Sequence, residues 1–298
     1  MNAQAPTIHA LSEMLIHELA RAMARPHSQA LKNILRRLFG GTVRRFSGLA
    51  LELDQVVAEG GLSAGARWAL PRFVKTNEAR GADAIPPAGP LVLAANHPGA
   101  YDSLVISAHV ARPDYKVIIG NIPFFQALPN LRARALFAPA VEDAAGRMKT
   151  IRAAIRHLQE GGALLIFARG DIEADPSFMP EPGAEFHLWS RSLEVLLRSV
   201  PQTRVLLTIV SGVIARAAFR SPLTWLRKRR ADKQRLAFMY QMLRQTIAER
   251  ETFGLTPRVT FGEIVAGKHD GQVMQEIKGA AERSLQSHLA WQARLPRL

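Results

Sequence analysis

The chain has 298 residues and 48% hydrophobic side chains, enough to bury a sizeable core and too apolar to stay disordered. It contains no cysteine, which excludes disulfides, thiolate nucleophiles and cysteine-held zinc or iron–sulfur centres. A formal net charge of +14 calls for an anionic partner, and with only 7% aromatic residues and no helix-turn-helix or zinc pattern, that partner is not expected to be nucleic acid.

The first predicted element is a helix over Ile8 to Met23, with Leu11, Met14, Leu15, Ile16 and Leu19 on one face and Pro26 as its breaker. Gln29 to Phe39 repeats the pattern through Leu31, Ile34, Leu35 and Leu38, and Gly40-Gly41 is expected to end it. Phe46 to Ala58 follows, closed by Gly60-Gly61, and a short helix over Ala64 to Lys75 is expected to kink or end at Pro71. Residues 1–75 thus form a predicted helical extension, either capping the core or docking on a membrane. Met1 to Pro26 carries Glu13 and Glu18 and no basic start before an apolar core, so no secretory signal is expected. No uncharged apolar run reaches the ~18 residues of a membrane span. The expected location is cytoplasmic, peripheral on the cytoplasmic face of the membrane.

From residue 76 strands and helices alternate. Pro86 to Pro90 is a turn into a strand starting near Leu91. Further strands are predicted at Lys116 to Gly120, Arg134 to Ala138, Ala163 to Phe167, Arg204 to Val210 and Arg258 to Phe261. A helix over Ala144 to Glu160 is closed by Gly161-Gly162, which is no phosphate loop because no Gly-Lys-Ser/Thr follows. The pattern predicts an α/β fold over residues 76–298, with a largely parallel central sheet flanked by helices. The proline-rich acidic stretch Asp171 to Gly183 is expected to be a loop and a wall of the substrate pocket. Ser221 to Lys233 is the densest basic run. Trp225 and Leu226 just before Arg227 to Arg230 suit an anchor at an anionic membrane surface.

The most informative stretch is Asn96-His97-Pro98-Gly99-Ala100-Tyr101-Asp102, directly after an apolar strand. Asn96 stands where a helix N-cap is expected and Pro98 fits a first helical turn. A histidine at a strand-to-helix junction is presented at a sheet edge, and a carboxylate five residues on is within reach of its imidazole. His97 is therefore a candidate general base, with Asp102 fixing its tautomer and stabilising the imidazolium. No serine or cysteine nucleophile accompanies the pair, so the base would act on a substrate hydroxyl or amine. His109, His157, His187, His269 and His288 show no metal-like spacing and are read as structural or solvent-facing.

With this pair, four further segments resemble the glycerolipid acyltransferase family. Asn96-His97 with Asp102 matches its Asn-His-x4-Asp motif. Arg134 to Ala140 resembles the second-motif strand, and Phe167-Ala168-Arg169-Gly170-Asp171 the Phe-Pro-Glu-Gly-Thr motif. Leu206 to Gly212 resembles the fourth motif, and Val259 to Ile264 a late strand ending in Phe-Gly-Glu. The resemblance spans roughly residues 76 to 270. It implies an acyltransferase moving a fatty acyl group from acyl-CoA or acyl-ACP, as co-substrate, to a lysolipid acceptor. No metal or cofactor is implied. It further implies His97 and Asp102 as the catalytic pair and Phe167, Arg169, Gly170 and Arg134 as substrate-binding residues, with backbone N–H groups near Gly170 or Gly99 facing the oxyanion. Arg169 replaces the motif's Glu, and Val141-Glu142-Asp143 stands where the second motif has its arginine. The fourth motif's proline is absent. These departures point to an acceptor other than plain lysophosphatidic acid, such as a lyso-aminolipid meeting Glu142 or Asp143. The competing reading is a lipid-binding protein that kept the fold and lost turnover.

Overall fold

A computed structural model describes residues 6–22, 25–99, 101–139, 143–190, 192–266 and 272–294. Seven strands form one sheet in the order β1-β7-β6-β2-β5-β3-β4: β1 (Glu78–Arg80), β2 (Leu91–Ala95), β3 (Tyr115–Gly120), β4 (Ala135–Ala138), β5 (Ala163–Phe167), β6 (Arg204–Ser211) and β7 (Arg258–Ala266). From β6 to β4 all neighbours are parallel. β7 is antiparallel to β6, and β1 is parallel to β7. β2 is the central strand and all five of its residues are buried, as an apolar run covered on both faces requires.

The alternation of side chains along the strands sorts the core into two layers. Leu91, Leu93 and Ala95 share one face with Leu165 and Leu206, under α2 (Gln29–Ala69), α3 (Asp102–Ser107) and α9 (Arg230–Ala248). Val92 and Ala94 share the other with Leu164 and Leu207, under α6 (Ala144–Gln159), α7 (Ser192–Ser199) and α10 (Val273–Arg294). Gly161, at φ 84°, closes α6 as expected, and a Cβ on Gly162 would collide with the His157 ring. Two short helices, α4 (Pro123–Gln126) and α5 (Pro129–Ala133), and one more, α8 (Arg216–Phe219), fill connections. Among the described residues no helix is long and apolar enough to cross a membrane.

At the N-terminus α1 (Ile8–Ala22) packs on α2 through Leu11, Ile16 and Ala20 against Leu35, Val43 and Ala50. The expected stop at Gly40-Gly41 does not occur: α2 runs on to its break at Gly61 (φ 75°, ψ −174°), a conformation open only to glycine. Glycine lowers helix propensity by about 1 kcal/mol, which packing on both sides of Gly40 offsets. Pro71 opens a 3-10 turn, Leu70–Arg72, and ends the helix as expected. The helices also lock onto the core: the buried Asp54 of α2 accepts from Leu131 N and Asn130 Nδ2, both at 2.8 Å, and so caps α5.

Helix α10 is pinned to the sheet by His288, which is fully buried. Its Nε2 meets Ser211 Oγ and its Nδ1 meets Thr260 Oγ1, each at 2.8 Å. Burial pushes its pKa down to about 3, helped by Arg258 and Arg80. The unfolded chain therefore binds a proton near pH 6.5 that the folded one refuses, each pKa unit being worth about 1.36 kcal/mol. Stability should be full above about pH 6.5 and be lost progressively as pH falls towards 3. Urea midpoints across that window should flatten in His288→Gln. A variant slope equal to that of the parent would place the acid sensitivity elsewhere.

Candidate active site

β2 ends at Ala95, and the ladder to β6 ends one pair on from Leu207, at Thr208. Asn96 takes over from it. Its Oδ1 accepts from Val210 N at 2.8 Å and its Nδ2 donates to Val210 O at 2.9 Å, so the side chain stands in for a peptide group. This corrects the expected N-cap role. Helix α3 begins only at Asp102, after a turn containing Pro98 and Gly99, and Asn96 is buried in the sheet instead.

The turn brings His97 back over Asp102. His97 Nδ1 lies 2.7 Å from Asp102 Oδ2, and Asp102 is 1% exposed. The same oxygen accepts from Gly99 N at 3.0 Å, and Oδ1 accepts from Ser103 N at 2.7 Å. Asp102 is thereby fixed at the first turn of α3 with both oxygens occupied. The His97 ring stacks on Phe167, centroids 4.3 Å apart, which sets its plane. Its side chain is 26% exposed, and among the described residues Nε2 has no partner. Burial pulls the imidazole pKa down, but the charge and hydrogen bond of Asp102 outweigh it, with Glu173 and Asp171 adding to them, and the net shift is upward. The arrangement is an imidazole whose Nδ1 faces a carboxylate and whose Nε2 is open at the carboxyl edge of the sheet, a geometry able to accept a proton there.

Two residues that the sequence did not single out, Glu173 and Gln234, hold this turn, and a third, Asp175, holds the turn after β6. Glu173 Oε2 accepts from His97 N at 3.0 Å, and Glu173 N donates to His97 O at 2.8 Å. Its other oxygen accepts from Trp189 Nε1 at 3.0 Å. Burial pushes the Glu173 carboxyl up to about 7. Gln234 of α9 donates to Pro98 O at 2.9 Å and to Glu173 O at 2.8 Å. Asp175, fully buried, gathers Gly212 N (2.8 Å), Val213 N (3.1 Å) and Ile214 N (3.3 Å) at the end of β6, and burial raises its pKa against those donors. The acidic stretch after β5 is thus a loop as expected but not a solvated one. Only the composition of this loop, acidic and beside the third motif, pointed to it.

The other predicted site residues divide. Phe167 joins His97. Arg169 lies on the same turn, but its Nη1 is bonded to Ile172 O at 2.7 Å and Glu185 Oε1 at 2.9 Å, and Arg230 bonds the same Glu185 oxygen. Two guanidiniums thus share one carboxylate on this side of the turn. Gly170, at φ 75°, makes the turn, and its N–H is spent on Phe167 O at 3.0 Å. Gly99 N is likewise spent on Asp102, so neither amide is open to an oxyanion. Arg134 precedes β4 at the opposite, amino edge of the sheet and donates to Pro113 O at 2.5 Å. The structure does not bring it to His97, because a residue just before one strand and a residue just after another of the same parallel set lie at opposite ends, and β5 and β3 separate β4 from β2. Asp143 caps α6 through Gly146 N at 2.8 Å, while Glu142 and His269 lie outside the described residues. His109 and His157 are held in the fold, and His187 is exposed and bonded to Ala184 O at 2.7 Å.

Residues 77–195 match a family model described as Acyltransferase. No curated protein is significantly similar to the chain. Among solved structures, the chain is similar to the 1-acyl-sn-glycerophosphate (LPA) acyltransferase PlsC from Thermotoga maritima. The match has 14% identity and a TM-score of 0.49, and covers 97% of this chain and 99% of that one.

Removing the Asn96 amide should leave the Val210 N–H and C=O unpaired in the core, at about 1–3 kcal/mol for each group. Asn96→Ala should therefore lower the urea midpoint sharply, and an unchanged midpoint would show that the bridge carries no stability.

Proposed function

From the match of residues 77–195 to a family model described as Acyltransferase, we propose that the chain moves a fatty acyl group from acyl-CoA or acyl-ACP to a hydroxyl of a lysolipid or related acceptor. The observation that carries this reading is the His97–Asp102 contact at 2.7 Å, with Nε2 open at the sheet edge. As the acceptor oxygen attacks the thioester carbonyl, its proton passes to His97 Nε2, and Asp102 steadies the imidazolium. The tetrahedral oxyanion then collapses, the C–S bond breaks, and the thiolate recovers that proton from His97. No acyl-enzyme is formed. Asp102 holds the tautomer with Nε2 unprotonated, and Phe167 stops the ring from turning. Arg169 and Arg230, sharing Glu185, supply positive charge for phosphate on the donor or the acceptor.

The surface beside the site suits an anionic bilayer. Trp225 and Leu226 are 74% and 78% exposed in the turn leading into α9, followed by Arg227, Lys228 and Arg229. We propose peripheral docking there, each basic residue adding about 1 kcal/mol near an anionic surface.

His97→Ala should lose about 10²–10⁴-fold in turnover of an acyl thioester with lysolipid while remaining folded, and Asp102→Asn should lose much of the rate through the tautomer. Near-parental turnover by His97→Ala would overturn the mechanism, and lipid binding without turnover by the parent would favour a binding protein. Because the neutral imidazole is the base and its pKa is raised, activity should climb with pH at values above the ordinary ~6.5. A climb centred below that value would contradict the His97–Asp102 pairing.

Vesicle binding should weaken with salt and with charge reversal of Arg227 to Arg229. Equal binding to neutral and anionic vesicles at every salt concentration would sink the docking proposal.

A further inference from the structure

Glu173 is more than a loop residue. Its two oxygens face two N–H donors, the His97 main chain at 3.0 Å and Trp189 Nε1 at 3.0 Å. A glutamine there would turn an NH₂ towards one of them, so the site demands an acceptor-only group, which among side chains is a carboxylate. Glu173 is 2% exposed, and an ionised carboxylate in such a place is costly unless it is compensated. Packing alone does not justify that cost. The position does, because Glu173 and His97 are tied in both directions, N–H to carboxylate one way and N–H to carbonyl the other.

We propose that Glu173 is a positioning residue for His97: its carboxylate fixes the main chain from which the imidazole is aimed and sets a second negative charge, besides Asp102, beside the imidazolium. The inference rests on the proposed role of His97 as the base. The charged groups around Glu173 are His97 on the β2 turn, Arg169 and Asp171 on the β5 turn, Glu185 before the 3-10 turn Phe186–Leu188, and Arg230 on α9. Arg169 and Arg230 are both drawn to Glu185, which leaves Glu173 to act on His97.

The test compares Glu173→Gln, Glu173→Asp and Trp189→Phe in the full chain. It follows the His97 ring by ¹⁵N NMR titration, and kcat and KM with an acyl thioester and a lysolipid. Glu173→Gln should lower the His97 titration midpoint and cut kcat by about 10- to 100-fold, with KM little changed, as misaiming a reacting group does. Glu173→Asp, which keeps the charge, should keep the midpoint near the parent's and recover part of kcat. Trp189→Phe leaves the bond to His97 intact and should leave both nearly unchanged, whatever it does to stability. The proposal is overturned by a parental midpoint and kcat in Glu173→Gln, by Glu173→Asp titrating like Glu173→Gln, or by Trp189→Phe reproducing the whole loss. If Glu173→Gln does not fold, the other two decide: kcat must fall in Glu173→Asp and stay near the parent's in Trp189→Phe. Failure of the acyl-transfer reading is seen separately, as turnover surviving His97→Ala, and leaves the NMR comparison interpretable.

Discussion

Ladder hydrogen bonds stop where strands stop, and the main-chain groups of the turns beyond must find other partners in a dry interior. That constraint governs this molecule at both edges of its sheet. At the carboxyl edge, acceptors do the work: Glu173 and Asp175 take up main-chain N–H groups of the turns after β2 and β6, and Asn96 bridges both groups of Val210. At the amino edge a donor does it. Arg112, 6% exposed, gives its N–H groups to Pro86 O (3.1 Å), Gly89 O (2.9 Å) and Gly161 O (2.8 Å), with Asp114 balancing its charge. The candidate base is exact in its placement because its turn is one of those so held.

Electrostatics around the base follow from the same buried acids. The chain as a whole carries +14, yet His97 sits among Asp102, Glu173 and Asp171, which together raise its pKa against burial. The arginines of this region are drawn off by Glu185 and by Asp171, which pairs with Arg235 at 2.6 Å. A cationic surface to gather anionic partners and an anionic lining to hold a positive imidazolium are therefore compatible in one protein.

Much of this was legible in the chain. The central strand announces itself as an unbroken apolar run, Leu91 to Ala95, and the pair His97 and Asp102 falls just after it, so short-range spacing sufficed. What was illegible depends on distant partners. Nothing near Glu173 in sequence says that it reaches back 76 residues to His97, or near Gln234 that it reaches 136 to Pro98. The same blindness put Arg134 at the site, because a motif carries no statement of which end of its strand faces the ligand. Gly40-Gly41 misled for a related reason: local propensity called a stop, and the packing of α1 and the core against α2 overrode it.

The short edge strand β1 has consequences for how the chain is made. Among the described residues Glu78 to Arg80 pair only with Arg258 to Thr260 of β7, and the Arg258–Glu78 ion pair joins residues 180 positions apart. β2, moreover, is complete only when β5 and β6 flank it. A chain emerging from the ribosome N-terminus first therefore carries β1 unpaired until β7, some 180 residues later, has followed it, and β2 unpaired until β5 and β6 have. Non-local pairing of this kind is slow and leaves apolar surface exposed while it waits, and a truncation before β7 would strip β1 of its partner and turn β6, otherwise flanked on both sides, into an open edge.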